Sequence, residues 1–239
     1  MKALSVIVLS ILFLASCGDN ENEVSVNFKL EYDDQPLVMF DEYEYAEAGG
    51  FPIEFTRVSF FISDLALTVD GQQEIYKEVD YLDLTVAHAS LERAQVGLKY
   101  DIGNVTGDIS NISFNFGLSE EVNATVPADY PSSNVLSRTA EYWNGWESYV
   151  MFKIEGNIDL DRDGVKERGI ALHLGTSEVM RSTSGPFSED LSITLDIQDV
   201  FNCGEIFDIE GTPAIHSLSQ IDKAIQLVDN IGCGLSYVN

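Results

Sequence analysis

The chain has 239 residues and carries 13 basic against 40 acidic side chains, a formal net charge of −27. That balance excludes nucleic acid as a partner, because nothing could neutralise its phosphates. With 45% hydrophobic residues and no internal repeat or low-complexity linker, the sequence supports one sizeable domain with a proper core.

Lys2 precedes an apolar run from Ala3 to Leu14, which closes in Leu14-Ala-Ser-Cys17. A run this short, with a basic start and a small-residue end, reads as a secretory signal rather than a membrane span. Leu-Ala-Ser-Cys also matches the bacterial lipobox. Residues 1–16 are therefore expected to be a lipoprotein signal peptide, and lipid on Cys17 to anchor the body to the outer membrane, facing the periplasm or the cell surface. Residues 17–23 read as a lipidated acidic tether and resemble the acidic export signal of Bacteroidetes surface lipoproteins; the domain itself is expected over 24–239.

Val24, Val26, Phe28, Leu30 and Tyr32 alternate with polar residues, the period of a strand with one buried face. The alternation returns in Ile112–Leu118 and Leu191–Ile197, and Phe51–Leu67 and Tyr76–Leu84 read as further strands. Several short strands separated by turn signals, without the helices a parallel sheet needs, predict an all-β fold, an antiparallel β-sandwich. Asn104, Asn111 and Asn123 head glycosylation sequons, which the lipobox discounts because it implies a bacterium.

Ser119–Asn144 is polar, carries Pro127 and Pro131, and is long enough to read as a binding loop. It ends at both tryptophans of the chain, Trp143 and Trp146. Next come two alternating stretches, Val150, Phe152, Ile154 and then Ile170, Leu172, Leu174. Paired as a hairpin, they turn His173 away from the aliphatic stripe, onto the face of Lys153 and Met151. The turn is Asp159-Leu-Asp-Arg-Asp-Gly-Val-Lys-Glu167. Its carboxylates at Asp159, Asp161, Asp163 and Glu167, with the Val165 carbonyl and the bend allowed by Gly164, suit a calcium ion, although Ile170 stands where an EF-hand would have its last glutamate. A solvated acidic turn is the plainer alternative.

One helix is expected near the C-terminus. Ile221, Ala224, Ile225 and Val228 share a face, Ser219 and Asp222 can cap it, and Gly232 marks its end. Cys203 and Cys233 are expected to form a disulfide that closes a loop of roughly 30 residues, contributing about 3–4 kcal/mol and stapling the helix to the end of the strand before Cys203.

Taken in order, several of these segments resemble the MbnP-like copper-binding proteins. They are Val26-Asn-Phe28, Thr56-Arg-Val-Ser-Phe-Phe-Ile-Ser-Asp-Leu-Ala-Leu67, Tyr81-Leu-Asp-Leu84, Tyr142-Trp-Asn-Gly-Trp146 with Tyr149, Lys153-Ile-Glu-Gly156, His173-Leu-Gly175, and His216 with the terminal helix. The resemblance implies a β-rich envelope protein that binds copper for acquisition or storage. It also implies a histidine ligand and a tryptophan oxidised by a diheme peroxidase-like partner. By position His173 is the ligand and Trp143 or Trp146 the modified residue. The family pattern has a histidine two residues beyond that tryptophan, where this chain has Gly145 or Ser148. A second imidazole would come from His88 or His216, and Met151 offers a soft substitute.

Catalysis has no support: no nucleophile elbow, H-E-x-x-H or phosphate loop is present, so the protein is not expected to be an enzyme. The rival readings are a surface glycan-binding module using the tryptophan pair as a platform and a calcium-stabilised interaction module.

Overall fold

The computed structural model describes residues 21–45 and 50–238. The expected signal peptide, Cys17 and the first part of the tether lie outside the described residues. In chain order the strands are β1 (Glu21–Tyr32), β2 (Gln35–Pro36), β3 (Glu42–Tyr45), β4 (Phe51–Val69), β5 (Gln72–Asp83), β6 (Leu98–Thr106), β7 (Ile109–Phe116), β8 (Tyr142–Trp143), β9 (Ser148–Ile158), β10 (Arg168–Gly175), β11 (Arg181–Pro186), β12 (Ser192–Asp196), β13 (Ala214–Ile215) and β14 (Leu235–Val238). The α-helices are α1 (Leu91–Val96), α2 (Glu120–Asn123), α3 (Ile197–Asn202) and α4 (Ile221–Gly234).

The strands form a β-sandwich. One sheet runs β14-β12-β1-β2 with β6 also on β1; the other runs β11-β7-β4-β9-β10-β13, with β3 and β5 on β4 and β8 on β9. Among the described strands the pairings are antiparallel except β1 with β12 and β10 with β13. The alternation of β1 lays Val24, Val26, Phe28, Leu30 and Tyr32 into the core. Phe28 meets Phe60 and Phe114 of the opposite sheet edge-on, with ring centres 6.4 and 5.7 Å apart. Each such side chain, once buried, contributes about 1.5–3 kcal/mol.

β4 is the spine, pairing with β9 through residues 53–60 and with β7 through 62–69. From Ser148 to Ile154, β9 is buried on both faces. One face looks into the sandwich; the other is covered by the segment between β7 and β9, which Tyr149 holds by donating its hydroxyl to the Leu136 carbonyl at 2.8 Å.

Some local expectations are corrected. Glu21, Asn22 and Glu23, read as tether, pair with β6 as the start of β1. The strand expected to reach Ile197 stops at Asp196, whose Oδ1 accepts from the amides of Gln198 and Asp199 and so begins α3. The α4 N-cap is Gln220 without a side-chain capping bond, and Ser219 bonds Ser217 instead. α4 continues past Gly232 to Gly234, which is packed so tightly on the Asp196 carbonyl that any Cβ would clash. The Cys203–Cys233 disulfide is formed, with Cα atoms 6.1 Å apart, and it joins α4 to the end of α3 rather than to a strand.

Candidate metal centre

The β9–β10 hairpin pairs His173 with Lys153, so both side chains stand on the face away from the sandwich core. β13 then runs beside β10 with Leu172 opposite Ile215. The next residue is a histidine in both cases, His173 within β10 and His216 just past the end of β13, and this register brings the two together, with ring centres 5.0 Å apart. Gln220 fixes the second one: its Oε1 accepts from the His216 amide at 2.9 Å while its Nε2 donates to the Ala214 carbonyl at 2.6 Å.

Trp143 completes the group from the covering segment. It pairs with Ser148 in the two-residue strand β8, and a turn closed by the Trp146 amide on the Trp143 carbonyl follows at once. Its indole stacks on His216 at 5.3 Å and meets His173 edge-on at 5.9 Å. Gly145 makes this approach possible. A Cβ there would come 2.7 Å from the His216 carbonyl and 2.8 Å from Trp143 Nε1. Two residues beyond Trp143, where the resemblance placed a histidine, a side chain therefore has no room without a shift of the backbone, and the imidazole beside His173 is that of His216, just after β13.

Each imidazole of the pair keeps one buried nitrogen, Nδ1 of His173 and Nε2 of His216, without a hydrogen-bond partner among the described residues. The other nitrogen of His173, Nε2, lies 2.7 Å from Oε1 of Glu155. That bond holds the Glu155 carboxyl below its usual range against the opposing effect of burial, and the charges of His173, Arg57 and Lys153 add to it. Burial, with the nearby charge of His173, lowers the pKa of His216 and so favours the neutral imidazole that can ligate. Beneath lies a charged cluster: Lys153 Nζ stands 2.5 Å from Glu141, which also pairs with Arg57 at 3.1 Å.

A sequence profile of the MbnP family matches residues 21–217. The chain belongs to the MbnP family. The structure of MbnP from Methylosinus trichosporium is similar in fold, with a TM-score of 0.60 at 14% identity, over 79% of this chain and 80% of that one. No curated protein matches the chain.

Three of the candidate ligands are not part of the group formed by His173, His216 and Trp143. His88 is fully buried, and its ring is spent on the backbone: Nδ1 lies 2.7 Å from the Leu37 carbonyl and Nε2 accepts from the Leu30 amide at 3.2 Å. Met151 shares the His173 face but is buried under the covering segment, its sulfur accepting from the Leu118 amide at 3.2 Å. Trp146 is only 2% exposed, against 41% for Trp143. Its Nε1 donates to the His173 carbonyl at 2.8 Å, and its ring lies on Gly175, where a Cβ would be 2.5 Å away. Trp146 is thus a support beneath the centre, and Gly175 of the His-Leu-Gly run makes room for it. The paired aromatic platform of the glycan reading does not form. Glu155 and Gln220 escaped the sequence reading, although Glu155 lies in the same alternation as Lys153.

The acidic turn forms at the far end of the hairpin. Carboxylate oxygens of Asp159, Asp161, Asp163 and Glu167 lie within 4.8 Å of one another. Asp159 is buried and accepts from the amides of Arg162 and Gly164, Asp163 accepts from the Val165 amide, and Glu167 accepts from the Leu160 amide. Arg162 and Lys166 reach out to Glu44 and Glu42.

Proposed function

We propose that this MbnP-family protein is an envelope lipoprotein that binds copper, for acquisition or storage, through His173 Nδ1 and His216 Nε2 with Trp143 alongside. The observation that carries this reading is the pair of buried imidazole nitrogens without partners, in rings 5.0 Å apart. One such nitrogen costs about 1–3 kcal/mol if nothing satisfies it, so one in each of two neighbouring rings points to a shared ligand. Imidazole suits copper, which heads the affinity order of the divalent first-row metals.

An unmodified indole offers only a donor N–H, so Trp143 could not ligate as it stands. Oxidation by a diheme peroxidase-like partner would give it carbonyl and amine atoms, and its 41% exposure supports Trp143 over Trp146 as the residue such a partner reaches. Anchoring through Cys17, at the outer membrane, belongs to the same proposal. A calcium ion in the acidic turn is a separate one: calcium should raise the melting temperature of the wild type, and of Asp161→Asn much less.

The test is native mass spectrometry of the protein purified from its own host, with anaerobic Cu(I) and Cu(II) titration of the wild type, His173→Ala and His216→Ala. One copper per chain, lost in both variants, is the expected result. Copper retained in both would defeat the assignment.

A further inference from the structure

Glu155 stands where a ligand histidine needs its support. It lies on β9 two residues beyond Lys153, the residue opposite His173, and its carboxylate is 2.7 Å from His173 Nε2. A carboxylate only accepts, so the ring must carry a proton on Nε2, and the lone pair of the neutral imidazole then falls on Nδ1, the nitrogen without a partner among the described residues. Arg57 sits opposite Glu155 in the β4–β9 pairing, and it also holds Glu141, two residues before Trp143. The same arginine therefore faces the support of one ligand and ties down the turn that leads into β8 and its indole.

We propose that Glu155 is the positioning residue of the centre, holding His173 with its proton on Nε2 so that Nδ1 is presented beside His216 and a bound cation gains a nearby negative charge. The proposal rests on the copper reading above. Carboxylates that orient metal-bound imidazoles in this way typically alter affinity by about 10–100-fold when removed.

The tautomer of His173 can be read without metal, from the ring nitrogen and carbon shifts of nitrogen-15-labelled protein. Wild type should show the proton on Nε2. Glu155→Ala should lose that preference and weaken Cu(I) binding by about 10–100-fold, whereas Glu155→Gln, whose amide oxygen still accepts, should keep the tautomer and lose less affinity. A wild-type His173 with its proton on Nδ1, or a Glu155→Ala protein with unchanged tautomer and affinity, would overturn the proposal. Failure of the copper reading looks different: no variant nor the wild type would take up Cu(I), while the wild-type tautomer would still report whether Glu155 orients the ring.

Discussion

His88 and the His173–His216 pair are the same chemical group put to opposite uses within one chain. Around His88 the backbone completes the ring, with a carbonyl at one nitrogen and an amide at the other. In the pair each ring keeps one buried nitrogen without a hydrogen-bond partner among the described residues. The contrast shows that burial alone does not mark a ligand. His88 is the more buried, and it is the satisfied one; the distinguishing sign is a buried ring nitrogen without a partner among the described residues in each of two rings whose centres lie 5.0 Å apart.

The largest effect that could break this contrast is on metal affinity. His173→Ala and His216→Ala should each weaken Cu(I) binding by more than about 100-fold, beyond what loss of a supporting residue alone produces. His88→Ala should leave it unchanged while costing about 1–3 kcal/mol of stability, because the Leu30 amide loses its acceptor. Competition with a chromogenic Cu(I) chelator and urea denaturation read the two quantities separately.

Cutting the disulfide comes next. Cys203→Ser combined with Cys233→Ser should cost about 3–4 kcal/mol, measured by urea denaturation. The segment that the bond closes carries β13 and His216, so copper affinity should fall as well, whereas the surroundings of His88 should stay ordered.

Acidity sharpens the contrast without metal. Burial lowers the folded-state pKa of His88 below the ordinary 6.5, only partly offset by its bond to the Leu37 carbonyl. Folding with a depressed histidine pKa contributes stability that is fully present above about pH 6.5 and is lost as pH falls through the folded value. His88→Gln should therefore be less stable than wild type at about pH 7.5, with the difference shrinking toward about pH 5. A parallel offset at all pH values would show that His88 does not titrate in this way.

The smallest predicted effect is at Gly145. Gly145→Ala inserts a methyl 2.7 Å from the His216 carbonyl, so the Trp143 turn must shift. Stability should fall by about 1 kcal/mol, copper affinity should drop, and the tryptophan fluorescence maximum should move.

Much of the fold was legible because alternation reports which side of a strand is buried, and it does so for β1, β7 and β10; β4, β9 and β12 were legible as strands, but they are buried on both faces over much of their length. The ends of elements were less so. Asp196 reads as one more polar residue of a strand, yet its carboxylate caps a helix; Gly232 reads as a stop, yet Gly234 is the one pressed against a carbonyl. Of the centre, His173 and Trp143 were legible through the hairpin pattern and the family motifs. His216 was one of two possibilities, because its approach depends on a two-residue parallel strand, β13, that no periodicity announces. Trp146 was a candidate through the family motifs and Met151 because it shares the His173 face, but the indole ring fills the space over Gly175 and the sulfur bonds the Leu118 amide. Glu155 was visible as a residue on the correct face, and only the β9–β10 register reveals what it touches.

The most direct test is X-ray absorption at the copper edge of protein loaded with one equivalent of Cu(I), compared across the wild type, His88→Ala and His216→Ala. The wild type and His88→Ala should both show two imidazole nitrogens at about 2.0 Å, and His216→Ala should show at most one. A wild-type spectrum without imidazole scattering, or one that survives unchanged in His216→Ala, would contradict the assignment of the ion to this pair.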